Sequence, residues 1–325
     1  MYEEAAEHVI RHNLFAELDI SSNMIDLIRY SWQHERDHHI YSRFDLSGGI
    51  DGLPIKLIEF NADTPTMLFE TAIVQWMLLK HNHLEDTQQF NNLYQAIVQK
   101  VKSLQGEDPA RFLFSSVDEL PEEEATTQLL QKIAADAGGI ASFAYLHNVH
   151  FHDEQILDQW DNRYDFWFKL YPWEDISHVH PDLTKLLTSS MQQQKSAVLN
   201  PAYTLLYQSK GMLKILYELF PDSPYLLNAS FEPLKKEKYV KKRLFGREGA
   251  NIDIVDENNR LLLSTPGPYD TFKSVYQAYT PFPRDSAGSY YQAGVFYSGE
   301  ACGLGFRKGS EILDDLSRFV GHIIV

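Results

Sequence analysis

Glu59 and Asn61 stand two residues apart in Ile58-Glu59-Phe60-Asn61-Ala62-Asp63-Thr64-Pro65-Thr66, at the end of a run that reads as a strand. In a strand this spacing sends both side chains to one face. Asp45, in the preceding strand-like stretch Tyr41 to Leu46, can join them across a hairpin. Two carboxylates and an amide oxygen are donors that magnesium takes, and magnesium held this way commonly bridges nucleotide phosphates. The same residues also spell turn chemistry, because Asn-Ala-Asp-Thr-Pro closes a strand end without a metal. The residues alone leave both readings open.

Lys210 and Lys242 are candidate phosphate contacts, with Gly246-Arg247-Glu248-Gly249 as a loop whose backbone N–H groups can approach phosphate oxygens. A solvated hairpin is the alternative. Neither the Walker spacing nor Gly-x-Gly-x-x-Gly occurs, so P-loop and Rossmann nucleotide binding lack support. Arg43 shares a strand face with Asp45, and Arg307 ends a later strand. Arginines so placed can stabilise charge developing on a transferring phosphoryl group, although a surface ion pair would use the same residues. Two histidine groups, His34, His38 and His39, then His147, His150 and His152, lack a zinc pattern.

The elements that must position these groups follow from periodicity. Apolar positions at helical spacing predict a helical lead-in from Met1 to about Gln33, broken near Asp19-Ile20-Ser21-Ser22. A hairpin follows, with strands at Tyr41 to Leu46 and Leu53 to Phe60 about a glycine turn. Helices are expected from Thr66 to about His81, from Asp86 to Leu104 and from Glu122 to Ala137, the last ending at Gly138-Gly139. Strands at Phe112 to Phe114 and Tyr164 to Tyr171 make this an α/β lobe. Ser209 to Leu219 reads as a helix stopped before Pro221. Strands at Tyr239 to Val255 about the glycine loop, at Arg260 to Leu263, at Tyr290 to Phe296 and at Ala301 to Phe306 make the last third β-rich. Residues 1–200 and 201–325 are the expected division.

At 325 residues, 44% hydrophobic and 23% charged, the chain can bury a deep cleft. A net charge of −16 argues against nucleic acid as a partner and is compatible with a cationic substrate. No apolar run suits a membrane span, and the acidic start Met1-Tyr2-Glu3-Glu4 is not a secretory signal, so a soluble cytoplasmic protein is expected. The single cysteine, Cys302, rules out an intrachain disulfide and reads as a buried packing residue.

Taken in order, Arg43-Phe44-Asp45, Glu59-Phe60-Asn61-Ala62-Asp63-Thr64, Ser209-Lys210, Val240-Lys241-Lys242, Phe245-Gly246-Arg247-Glu248-Gly249-Ala250-Asn251-Ile252, Tyr276-Gln277, Gln292 and Arg307 resemble the synthetase domain of glutathionylspermidine synthases. The resemblance covers nearly the whole chain and is closer to the stand-alone bacterial branch, without the amidase domain. It implies an ATP-grasp-like α+β fold with a pre-ATP-grasp lobe, holding nucleotide between two β-containing lobes. It further implies that Asp45, Glu59 and Asn61 bind Mg2+, and that Lys210, Lys242, Glu248, Gly249, Tyr276, Gln277 and Gln292 surround ATP. Arg43 and Arg307 would serve the phosphoryl transfer, with Arg43 and Thr64 contacting the peptide.

The activity so implied is ATP-dependent joining of a small peptide carboxylate to an amine or polyamine through an acyl phosphate. A nucleotide-binding regulatory protein and a phosphotransferase are the other readings, and oligomeric state is left open. Two residues depart from the family pattern. Leu170 falls where characterised members have a polar residue that contacts glutathione, and Arg243 follows Lys242 where proline is usual. The family also carries a helical segment ahead of the position that is Met1 here.

Overall fold

The hairpin carrying Asp45 and Glu59 forms as the sequence predicts, in a computed structural model that describes residues 1–84 and 87–324. Strands β1 (Ser42–Ser47) and β2 (Lys56–Asn61) pair antiparallel, setting Arg43 opposite Asn61, Phe44 opposite Phe60 and Asp45 opposite Glu59. Strand β2 begins at Lys56 rather than Leu53, because Gly49 N–H bonds Leu53 O at 2.9 Å and extends the turn. Alternation sends Phe44 and Phe60 to the back of the hairpin, where their rings stack 3.8 Å apart against Tyr2.

Helices α1 (Tyr2–His12) and α2 (Ile25–His34) supply the lead-in, burying Val9, Leu27, Ile28 and Trp32. The helix expected from Thr66 starts later. Met67 adopts a left-handed φ of 68°, and the Thr66 carbonyl accepts a bond from Arg43 Nη1 at 2.7 Å. A π-helical turn, Glu70–Val74, then leads into α3 (Gln75–His81). Helix α4 (Leu93–Ser103) is shorter than expected: Gln88 and Asn91 make β-bridges to Ile324 and Gly303, which a helix would forbid. Asp86, the expected start, lies outside the described residues.

The α/β expectation is met by a parallel sheet. Strand β3 (Arg111–Ser115), helix α5 (Pro121–Asp136) and strand β4 (Ile140–Phe143) form its first crossover. A small antiparallel sheet of β5 (His150–His152), β6 (Gln155–Leu157) and β7 (Arg163–Tyr164) interrupts before β8 (Phe166–Lys169). Helices α6 (Trp173–Val179) and α7 (Pro181–Gln192) return the chain to β9 (Ala197–Leu199), giving the order β4-β3-β8-β9. Helices α8 (Thr204–Gln208) and α9 (Met212–Leu219) replace the single helix expected from Ser209. They break there because Lys210 N–H turns away to Leu244 O at 2.9 Å.

The last third is β-rich. Strands β10 (Ala229–Ser230), β11 (Tyr239–Arg243), β12 (Asp253–Val255), β13 (Leu261–Ser264) and β14 (Ser274–Ala278) form a sheet in the order β10-β14-β11-β12-β13. Strands β15 (Tyr290–Tyr297), β16 (Ala301–Gly309) and β17 (Arg318–Val320) instead join the hairpin, in the order β17-β16-β15-β1-β2. One sheet therefore draws strands from both sides of residue 200. Cys302 on β16 is buried, its Sγ 3.6 Å from Phe296 O. Among the described residues no helix is long and apolar enough to cross a membrane, and no three His, Cys, Asp or Glu side chains gather as a metal group.

Candidate active site

Strand register builds the site. Asp45 faces Glu59 across β1 and β2, Asp45 faces Gly294 across β1 and β15, and Gln292 faces Arg307 across β15 and β16. Gly294 is required by a close approach: a Cβ there would lie 2.9 Å from Arg43 Cδ. Its absence lets the Arg43 side chain lie over β15. The Arg43 guanidinium grips Asp45 with two bonds, Nε to Oδ1 at 2.6 Å and Nη2 to Oδ2 at 3.0 Å, with both residues buried.

The three candidate metal donors converge. Asn61 Nδ2 donates to Asp45 Oδ2 at 3.1 Å and more weakly to Glu59 Oε1 at 3.4 Å. In this arrangement the amide offers its N–H2 to the carboxylates, and rotating the same side chain would present Oδ1 to a cation. Two carboxylates facing each other in register with an amide between them fit a hard, oxygen-seeking ion. Burial opposes ionisation of Glu59, but Lys210 and Lys242 outweigh it and hold its carboxyl down at about 2.

The lysines close the other side. Lys210 Nζ lies 3.1 Å from Glu59 Oε2 and donates to Gly246 O at 2.6 Å, tying the hairpin to the glycine loop. Lys242 Nζ donates to Gln277 Oε1 at 2.7 Å and to Ile58 O at 3.2 Å. Burial and the nearby Lys210 bring the Lys242 ammonium down to about 8, against the pull of Glu59. Burial and the neighbouring Arg43 likewise lower the Arg307 guanidinium. Crowded cations of this kind favour an incoming anion.

The lysines, Glu59 and Arg307 border a cleft of about 830 Å³, counted to its open mouth, whose lining does not include Arg43, Asp45 or Asn61. Glu59, Lys210, Lys242, Glu248, Gly249, Gln277, Gln292 and Arg307 all line it. Tyr276 does not: its neighbour Gln277 takes the cleft face, and its ring packs edge-on against Tyr239. Thr64 is half-buried and outside the cleft lining, beyond the turn that starts at Ala62. Leu170 is buried in the core beside Phe168 and Leu199.

Several cleft residues are not among those the sequence marks as contacts. Val240, Ile252, Ile254, Phe282 and Ile312 form an apolar wall suited to a flat ring, and Tyr279 is anchored to Glu311 at 2.6 Å. Alternation along β11 and β12 could have indicated Val240 and Ile254, which sit opposite one another. The closing contact could not be read locally. Gly249, at φ +69, lies under Leu313, whose carbonyl would be 2.4 Å from any Cβ there.

A mixed α/β fold of several sheets with a glycine loop beside a cation-lined cleft is of the ATP-grasp type, the class shared by a family of carbon–nitrogen ligases. The chain belongs to that family, described as glutathionylspermidine synthase pre-ATP-grasp, which it matches over residues 1–325. It is 31% identical over 314 residues to a Haemophilus influenzae protein provisionally named an acid–amine ligase, a match covering 92% of this chain and 78% of the other. It is 27% identical to the bifunctional glutathionylspermidine synthetase/amidase of Escherichia coli, over 85% of this chain but only 48% of that protein. A glutathione synthetase-like effector from Globodera pallida superposes at a TM-score of 0.61 with 10% identity, covering 100% of this chain and 84% of that one, a likeness of fold alone.

Proposed function

We propose that the protein is an ATP-dependent carboxylate–amine ligase that joins a small peptide to an amine or polyamine. The observation carrying this reading is the register of β1 and β2, which sets the Asp45 and Glu59 carboxylates face to face beside four cations, Arg43, Lys210, Lys242 and Arg307. Family membership supports the same chemistry, since the named relatives are ligases.

In this mechanism Lys210, Lys242 and the Glu248-Gly249 backbone hold the triphosphate, while the apolar wall takes the base. Asp45, Glu59 and Asn61 would hold Mg2+, which when bound neutralises phosphate charge and orients the terminal phosphoryl group. Arg43 and Arg307 meet the charge that develops as a peptide carboxylate oxygen attacks the γ-phosphorus and ADP leaves. An acyl phosphate results. The amine then attacks its carbonyl carbon, phosphate departs, and the ammonium proton is lost as the amide forms. Arg43 holds Asp45 through Nε and Nη2, so the guanidinium also orients the carboxylate that would serve the metal.

The test is ADP release with ATP and Mg2+, screened over short peptides paired with amines and polyamines, with product mass read in parallel. Ligation gives an amide and free phosphate. A phosphotransferase would leave a stable phosphorylated substrate, and folded protein that binds nucleotide but responds to no pair would defeat the proposal. Arg43→Ala is expected to lower turnover by about a thousandfold or more while nucleotide affinity, read by calorimetry, changes little.

A further inference from the structure

The segment between α2 and β1 holds a buried Glu35 and a half-buried His38 that the cleft chemistry does not use. Glu35 is 5% exposed, and its Oε2 has no hydrogen-bond partner among the described residues. His38, on the next turn, has a buried Nδ1 that is likewise unpartnered. Both line one pocket of about 670 Å³, counted like the cleft to its open mouth, walled by Tyr30, Phe166 and Met191. Unpaired polar atoms at such depth are unusual in native proteins and call for a ligand or water.

The other charged groups around this cavity are already engaged. Lys195 Nζ turns to Glu154 Oε2 at 3.0 Å and Asp153 O at 2.7 Å, Asp165 Oδ2 accepts Arg111 N–H at 2.8 Å, and the His34 ring lies against Tyr30 at 4.8 Å. Glu35 therefore has no cation within ion-pair reach among the described residues. Burial raises its carboxyl to about 8. Burial also lowers His38 to about 4, with Lys100 adding to the fall and Asp37 opposing it, which leaves a neutral imidazole with a free lone pair. Once ionised, Glu35 accepts as the His38 lone pair does, so a cationic donor satisfies both together and displaces the proton that burial keeps on the empty carboxyl.

We propose that this cavity is a binding site for a small primary ammonium, held by Glu35 and His38 between the side chains of Tyr30 and Phe166. The site is separate from the ATP cleft and independent of the ligase reading. Its signature is a proton: below pH 8 Glu35 is neutral in the empty protein, and the arriving cation ionises it, so one proton is released per amine bound. Above that pH the carboxylate is already charged and release falls toward zero.

The probe is n-butylammonium chloride, titrated into the intact protein without ATP by calorimetry in two buffers of different ionisation enthalpy. Millimolar or tighter binding with nearly one proton released at pH 7 and nearly none at pH 9 is expected. Glu35→Gln, close in shape to the neutral acid, should weaken binding at least tenfold and abolish the proton signal. His38→Phe, which keeps a ring against Phe166, should weaken it at least threefold. No wild-type binding at ten-millimolar amine overturns the proposal, as does binding that both folded variants retain unchanged, which would put the amine elsewhere. Ligase turnover in Glu35→Gln should match wild type, so failure here leaves the ligase reading standing.

Discussion

Lys242 is the residue whose charge decides how the proposed site meets a phosphate. Its ammonium is buried, bonded to Gln277 and Ile58 O, and brought down from the usual lysine range to about 8. The charged form is the one that attracts phosphate, and it is fully present well below pH 8. It is lost as pH rises through that value. The dependence of kcat/KM for ATP on pH, which reports the free protein, should therefore fall on an alkaline limb near pH 8. Lys242→Arg, whose guanidinium keeps its charge, should remove that limb while lowering the plateau by about tenfold through altered geometry. A limb that persists in the arginine variant would assign it to another group.

Elements explain why some of these residues could be found without coordinates. Period-two alternation put Glu59 and Asn61 on one face, and the glycine turn brought Asp45 back opposite them, so this half of the site was legible. Tyr276 shows the limit, because it and Gln277 point to opposite faces of β14 and motif order alone cannot say which faces the cleft. The Arg43 grip depends on a strand contributed from far along the chain, at Gly294. Gly294→Ala would drive Arg43 Cδ aside at 2.9 Å; the expected result is at least a tenfold fall in turnover, with nucleotide affinity nearly intact, measured side by side.

The turn after Asn61 is fixed by another pairing that sequence could not announce. Asp63 and Lys169 are buried and lie 3.1 Å apart, and Asp63 Oδ2 also accepts Trp173 N–H at 2.7 Å. This joins the turn after Asn61 to the start of α6. Lys169→Met should leave Asp63 as an uncompensated buried charge and cost about 3–5 kcal/mol, seen as a lower denaturant midpoint at neutral pH. Adding Asp63→Asn should recover part of that loss, because the stranded charge goes with it. A second variant no more stable than the first would show that Asp63 serves mainly through its bond to Trp173.

At the scale of the whole molecule, the sheet β17-β16-β15-β1-β2 governs how the chain behaves. The helical lead-in, the α/β crossover and the β-rich last third were each visible as local patterns, and the sequence suggested a division near residue 200. Local patterns carry no information about which strands pair, and β15 crosses that division to pair with β1 in register from Ser42 opposite Tyr297 to Leu46 opposite Ala293. Arg307 reaches Asp314 O from the same layer, and Leu313 closes over Gly249. The C-terminal strands are thus a wall of the cleft and a central part of the sheet at once. Removing residues 290–325 would bare the edge of β1, with its unpaired backbone groups and the Arg43–Asp45 pair. The shortened chain is expected to aggregate or to lose its cooperative thermal transition altogether, as read by circular dichroism and size-exclusion chromatography. A soluble monomer that kept a sharp transition and lost only nucleotide binding would instead mean that the last strands are an appended module.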